Sequence, residues 1–360
     1  MKRITVLLLI LLLLTGCSAP AAETESTTAV ETTVPETTVV ETEPPTTVST
    51  ETEPQEEHYL LTFAGDCTFG SNPKNKYALS SFENTVKDWK YPFANVISYF
   101  ENDDFTMVNL EGTLTETGTK VQKAFNFKGS PEYVNILTEN SVEAVTLANN
   151  HTMDYGHEGY ANTIATLEAA GVPYVEENSS TVITLDSGLT IGIYGTVYFS
   201  MDTEHMVSEI TAMKEQGVDV IIFAPHWGAE GYYYANNVQQ DAAHAAIDAG
   251  AHIVYGTHPH VLQPIEEYNG GVIYYSLGNF AFGGNGDPKD YDTAFVQQEV
   301  IRKVDGTVHL SELTVIPCTI STNPHQNDFR PTPYEEGSED YLRAMSKLDG
   351  SYTGSNLPWD

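Results

Sequence analysis

Basic residues are scarce: 16 lysines and arginines face 50 aspartates and glutamates in 360 residues, a formal charge of −34. A nucleic-acid partner is excluded on this ground, because phosphate binding rests on Lys and Arg. Cysteine is scarcer still. Cys17, Cys67 and Cys318 are all there is, which rules out a disulfide framework, although a single Cys67–Cys318 bridge stays open. A metal-ligand role for Cys67 beside Asp66 is also open, and a small buried residue at a strand end is the plainer reading. Long apolar runs are missing too. Ile4 to Leu14 falls short of the roughly 20 residues that span a bilayer and fits a signal-peptide core behind Lys2 and Arg3. No phosphate-cradling glycine loop is found, so ATP-driven synthesis is not indicated.

The apolar run ends in Leu14-Thr15-Gly16-Cys17, which resembles the bacterial lipobox. The resemblance implies cleavage before Cys17, lipidation of that residue, and a location outside the cytoplasm with acyl chains as the only hold on the membrane. Residues 18–57 then lack aromatic and basic side chains and repeat Thr, Glu, Pro and Val, with ten Glu. Such a segment buries no core and is expected to be a disordered, extended tether. Of the total charge, −26 remains from position 58 onward. An anionic polymer would therefore approach only where bound cations or clustered lysines reverse the field.

Residues 58–322 are long enough for one sizeable core, and 41% of the whole chain is hydrophobic. Buried strands are expected at Tyr59 to Ala64, Phe105 to Leu110, Ala144 to Ala148, Ile191 to Tyr194, Val218 to Ala224 and Ile253 to Tyr255. Helices are expected between them at Phe93 to Phe100, Pro131 to Glu139, Gly159 to Ala170, His205 to Gln216 and Asn237 to Ala249. Val272 to Leu277, Phe295 to Val304 and Val308 to Ile316 alternate more and read as antiparallel. The class is α/β, with a mixed sheet or two stacked sheets. Residues 323–360 form an acidic extension with one short helix near Tyr341 to Leu348, either packed on the domain or flexible.

Chemistry-bearing residues follow the strands in turn. They are Gly65-Asp66; Asn109-Leu110-Glu111-Gly112; Asn149-Asn150-His151 with Asp154 and Gly156; His226-Trp227-Gly228 with Glu230; and Gly256 with His258-Pro259-His260. Strand ends of α/β folds converge in a crevice. Carboxylates, an amide oxygen and imidazoles gathered there make a ligand set for one or two divalent ions such as Mn, Fe or Zn.

Together with Gln263 and Ser276-Leu277-Gly278-Asn279-Phe280, these blocks resemble the CapA family of capsule and poly-γ-glutamate synthesis proteins, itself similar to calcineurin-like metallophosphoesterases. The resemblance implies a four-layer α/β/β/α sandwich with Asp66, Glu111, Asn150, His226, His258 and His260 as metal ligands. His151 matches the histidine that protonates the leaving group or steadies the transition state. The pattern departs at Asp66-Cys67-Thr68, which lacks the histidine that follows the aspartate by two residues at the first strand end, so one metal position loses a ligand, and at Glu111, which stands where an aspartate is usual. Asn109, Asn149, Trp227, Glu230 and Asn279 are expected to contact substrate. For Tyr232, Tyr233 and Tyr234, lining a groove and packing on a surface or subunit are equal alternatives, and Lys120, Lys123 and Lys128 are the densest basic stretch.

The function implied is a surface-anchored, metal-dependent hydrolase or transferase acting on an anionic extracellular polymer such as poly-γ-glutamate, with membrane-embedded capsule synthesis proteins as partners. In such chemistry metal-activated water attacks a carbonyl or phosphorus centre and His151 supplies a proton. A non-catalytic polymer-retention module and a metallophosphoesterase are the alternatives.

Overall fold

The strand Glu57–Thr68 is buried from Leu61 onward, and its side chains alternate between two cores. Tyr59, Leu61 and Phe63 face one way, while Ala64 belongs to the cluster on the other side, as the period of two requires. A computed structural model describes residues 55–76 and 78–357, and this strand is central to its first sheet. Phe105–Leu110, Ala144–Thr146 and Tyr174–Val175 run parallel on one side of it. On the other side Asp292–Arg302, Val308–Thr319 and Thr332–Pro333 run antiparallel, and Asn279–Phe282 pairs parallel with its end.

The second sheet has the order Ile265–Tyr268, Gly271–Tyr274, Ile253–Tyr255, Val220–His226, Thr190–Val197, Ser179–Thr184. Its four inner strands are parallel and its two edges antiparallel. Alternation again divides the residues. Ile191, Ile193, Val220, Ile222, Ala224, Ile253, Tyr255, Val272 and Tyr274 meet the first sheet, and Tyr194, Ile221, Phe223, Val254 and Ile273 meet helices. Each large aliphatic or aromatic side chain so buried contributes about 1.5–3 kcal/mol.

Helices Thr203–Glu215 and Asn237–Ala249 cover the second sheet through Met206, Ile210 and Met213 and through Ala242, Ala243, Ala246 and Ile247. The spacing of three and four places each set on one face. Asp202 caps the first helix, accepting from the amides of Glu204 and His205, and Asn236 with Gln239 forms a capping box on the second. Gly156–Ala170 and the short helices Phe82–Thr85, Ile97–Phe100 and Val134–Thr138 cover the first sheet. The architecture is a four-layer α/β/β/α sandwich.

Several elements depart from their sequence signals. The stretch expected to form a helix from Phe93 to Phe100 is a 3-10 turn at Tyr91–Phe93 followed by one helical turn. Gly271–Tyr274, expected to be antiparallel, lies parallel to Ile253–Tyr255 and antiparallel only to the edge strand Ile265–Tyr268. Cys67 and Cys318 are separate buried thiols, so the bridge left open by sequence is not formed. No helix among the described residues is long and apolar enough to cross a membrane. Beyond residue 322 the chain packs back onto the fold: Ala344 and Leu348 of helix Glu339–Leu348 enter the core between the sheets.

Candidate metal centre

Parallel register levels Asp66 with Asn109 on one neighbour and with Asn279 on the other. Glu111 follows at once, its amide donating to Cys67 O at 2.8 Å. The Asp66 amide donates to Gly278 O at 2.8 Å. A Cβ on Gly65 would lie 2.1 Å from that same oxygen, so only glycine allows the approach. From the second sheet, His226 ends its strand and bridges to Thr257. His258 (φ 99°) and His260 (φ 57°) come next, both left-handed, a conformation that costs side-chain-bearing residues about 1–3 kcal/mol each. This backbone brings both imidazoles to the Asp66–Glu111 side.

Glu111 Oε1 is buried and accepts no hydrogen bond. Around it stand His151 Nε2 at 3.8 Å, His226 Nε2 at 3.9 Å and His260 Nε2 at 3.8 Å. These separations exceed hydrogen-bond range. Three triads have ligand atoms within 4.8 Å of one another: Asp66, Glu111 and His260; Glu111, His226 and His258; and Glu230, His258 and His260. Glu111 is shared by the first two. Asn150 joins the second through its Oδ1, 3.2 Å from His226 Nε2.

The partners behind the ring fix which atom of each side chain points inward. Thr257 Oγ1 donates to Pro225 O at 3.3 Å and lies 2.9 Å from His226 Nδ1. We therefore assign the His226 proton to Nδ1, which leaves Nε2 and Asn150 Oδ1 as two acceptors facing each other. His260 Nδ1 meets Asn279 Oδ1 at 2.9 Å, so its Nε2 is turned to Glu111. His258 Nδ1 is buried without a partner. Converging oxygen and nitrogen atoms of Asp, Glu, Asn and His fit a divalent cation bound at about 2.0–2.2 Å.

Electrostatics point the same way. Burial holds Glu111 well above the usual carboxylate range and His226 well below the usual imidazole range, with His258 adding to the latter. Burial and then His260 hold His258 down at about 3. Burial also acts to lower His260, yet Glu111 and Asp66 raise it to about 10. Positive charge is thus wanted at the carboxylates, while His226 and His258 stay neutral, the form that ligates.

His151 stands at the edge of the ring with its own support. Its Nδ1 meets Asp154 Oδ2 at 2.7 Å, and Lys123 Nζ neutralises Asp154 Oδ1 at 2.6 Å. The Phe127 ring lies on the imidazole with centroids 4.2 Å apart. Burial lowers the His151 pKa, against the pull of Asp154.

Residues 60–284 match the family described as bacterial capsule synthesis protein PGA_cap. The chain belongs to this family. Residues 1–18 match a prokaryotic membrane lipoprotein lipid attachment site; Cys17 and the tether up to residue 54 lie outside the described residues. Among the relatives of this PGA_cap member is PGA biosynthesis protein CapA of Bacillus subtilis, 28% identical over 316 residues and covering 81% of each chain. Capsule biosynthesis protein CapA of Bacillus anthracis is 29% identical over 297 residues, covering 74% of this chain and 68% of its own. Among solved structures, the Haemophilus influenzae NAD nucleotidase is similar with a TM-score of 0.42 and 11% identity, covering 82% of this chain and 63% of its own.

All six sequence-derived ligand candidates and His151 come together at one place. The residues expected to contact substrate do not share one environment. Asn109 is buried, donating to Asp66 Oδ1 at 2.9 Å and accepting from Asn149 at 3.0 Å; both amides brace the ring from behind. Asn279 holds His260. Trp227 packs against Phe223 and Tyr275 on the helical side of the second sheet and donates to Tyr275 O at 2.9 Å, so it lines no groove. Tyr233 is buried, and only Tyr232 and Tyr234 are exposed. Glu230 reaches His258 and His260 instead. Lys123 pairs with Asp154, and Lys128 lies over the Tyr155 ring. The Lys123–Asp154 support of His151 has one signal in the sequence, the spacing His151-x-x-Asp154 in a turn.

Proposed function

We propose that this chain is a surface-anchored, metal-dependent hydrolase or transferase acting on an anionic extracellular polymer of the poly-γ-glutamate type. The observation that carries the reading is the unpartnered Glu111 Oε1 inside its ring of imidazoles. Asp66, Glu111 and His260 would hold one divalent ion, and Glu111, Asn150, His226 and His258 a second, with Mn, Fe or Zn suited to the mixed oxygen and nitrogen donors. Such ions supply Lewis acidity and lower the pKa of water to about 7.

The chain's own residues do the rest. Asn109, Asn279 and Thr257 fix the rotamers of Asp66, His260 and His226. His151, oriented by Asp154 through Nδ1, presents Nε2 on the Glu111 side, where it would take up the proton released by the attacking water and pass it to the departing group. The names of the Bacillus relatives support the polymer class, and the lipid attachment site supports anchoring at the cell membrane through Cys17, beside membrane-embedded synthesis partners.

The test is incubation of the metal-loaded protein with poly-γ-glutamate, following chain length, with Asp66→Ala alongside. Shortening or transfer to an acceptor amine that disappears in the variant supports the reading. Binding without any change in length points to a retention module, and cleavage of a general phosphate ester alone points to a phosphoesterase.

A further inference from the structure

At the position where the family resemblance calls for a histidine two residues after Asp66, Thr68 donates its hydroxyl to Glu111 O at 2.7 Å. That hydroxyl is engaged with backbone, which leaves the Asp66, Glu111 and His260 group with three donors. Beside His258 and His260 lies a carboxylate with no such engagement. Among the described residues Glu230 makes no hydrogen bond or ion pair, although its ligand atom, with those of His258 and His260, falls within a 4.8 Å set. The second of those histidines carries the buried acceptors Asn279 and Glu111 on either side, and the first keeps a buried Nδ1 without a partner.

The loop that carries Glu230 is held in place from three directions. Gly228 and Gly231 flank it in left-handed conformations, φ 84° and 75°. Gly231 N donates to Pro259 O at 2.8 Å, tying the loop to the peptide between the two histidines. Gln263 Nε2 donates to Tyr232 O at 2.7 Å, and Leu357 N from the C-terminal segment donates to Gly231 O at 2.7 Å. A solvated glutamate needs none of this support, whereas a ligand must be fixed before the ion arrives.

We propose that Glu230 is a metal ligand, supplying from the second sheet the donor that Thr68 does not supply from the first. The inference rests on the metal-centre reading above and adds to it a specific compensation: a carboxylate for an imidazole. It also predicts a more negative centre, which favours a second cation or a harder one such as Mn over Zn.

Metal-stripped full-length wild type, Glu230→Gln and Glu230→His are titrated with Mn2+ by calorimetry, and the metal retained after desalting is measured by elemental analysis. Glu230→Gln is expected to lose one equivalent or to bind it on the order of tenfold or more weakly, while Glu230→His, which restores a donor, retains it. Metal-free unfolding midpoints are expected to be equal, since Glu230 bonds to nothing in the fold. Equal stoichiometry and affinity in wild type and Glu230→Gln overturn the inference, as does weakened polymer binding with metal binding intact. Wild type that takes up no Mn2+, Fe2+ or Zn2+ overturns the metal-centre reading itself and this inference with it.

Discussion

Lys347 places its ammonium 2.6 Å from Asp292 Oδ2 with only 2% of its side chain exposed. The same nitrogen lies 2.6 Å from Asp290 and over the rings of Tyr233 and Tyr352. Asp292 is further bound by Arg343 and Tyr334; against burial, Arg343 and Lys347, with the Tyr334 hydroxyl, hold its carboxyl below the usual range. Removing one partner of a buried pair leaves the other uncompensated. Lys347→Met is therefore expected to lower unfolding free energy by about 3 kcal/mol, read from urea denaturation. An unchanged midpoint would show that the last helix is not part of the cooperative fold.

Metal binding is expected to stabilise the whole domain. At a free Mn2+ concentration of 100 times Kd the gain is about 2.7 kcal/mol, seen as a concentration-dependent rise in Tm. Asp66→Ala should unfold at the same temperature with and without the ion. A shift that survives in this variant would place the cation elsewhere.

His151→Ala should lower turnover on the polymer by roughly 10²–10⁴-fold, the range for a lost general acid. Metal stoichiometry should stay at the wild-type value. Asp154→Asn keeps the ring in place but weakens its orientation, so a smaller loss is expected. A His151→Ala protein that turns over normally removes this residue from the chemistry.

His252 gives a pH signature away from the centre. Its Nδ1 accepts from the Ile221 amide at 3.0 Å, and burial, then Lys214, lower its pKa to about 4. The unfolded chain, with an ordinary imidazole near 6.5, takes up the proton first as pH falls. Stability should therefore decline between about pH 6.5 and 4, by roughly 3 kcal/mol, and level off below. His252→Asn, which keeps an acceptor, should flatten that portion of the stability curve.

The strands that could be read from sequence were those buried on both faces. Tyr59 to Ala64, Phe105 to Leu110 and Ile253 to Tyr255 are continuous apolar runs, and all three are strands. Ser179–Thr184 escaped notice because its composition, SSTVIT, suits an edge and carries no apolar run. Asn279–Phe282 escaped because four residues beside a glycine read as a loop; only pairing with the end of the central strand makes them a strand. The ligand candidates were readable because each follows a strand. The roles of Asn109, Asn149 and Asn279 were not, since an amide that braces a carboxylate and one that faces substrate look alike in one dimension. Trp227 misled for a related reason: its neighbour His226 points between the sheets, so the next side chain must point to the helices.

The His258 amide donates to Asp66 Oδ2 at 3.3 Å across 192 positions of sequence. Half of the donors are therefore made long before the other half, and no N-terminal fragment that stops short of position 260 contains the full set. An ion bound at this centre would be acquired by the finished domain rather than by a growing chain. For a chain whose first 18 residues match a lipoprotein lipid attachment site, that moment would fall after export if the chain crosses the membrane unfolded. The metal this centre takes would then be set by the ions available outside the cell, not by the reserves of the cytoplasm.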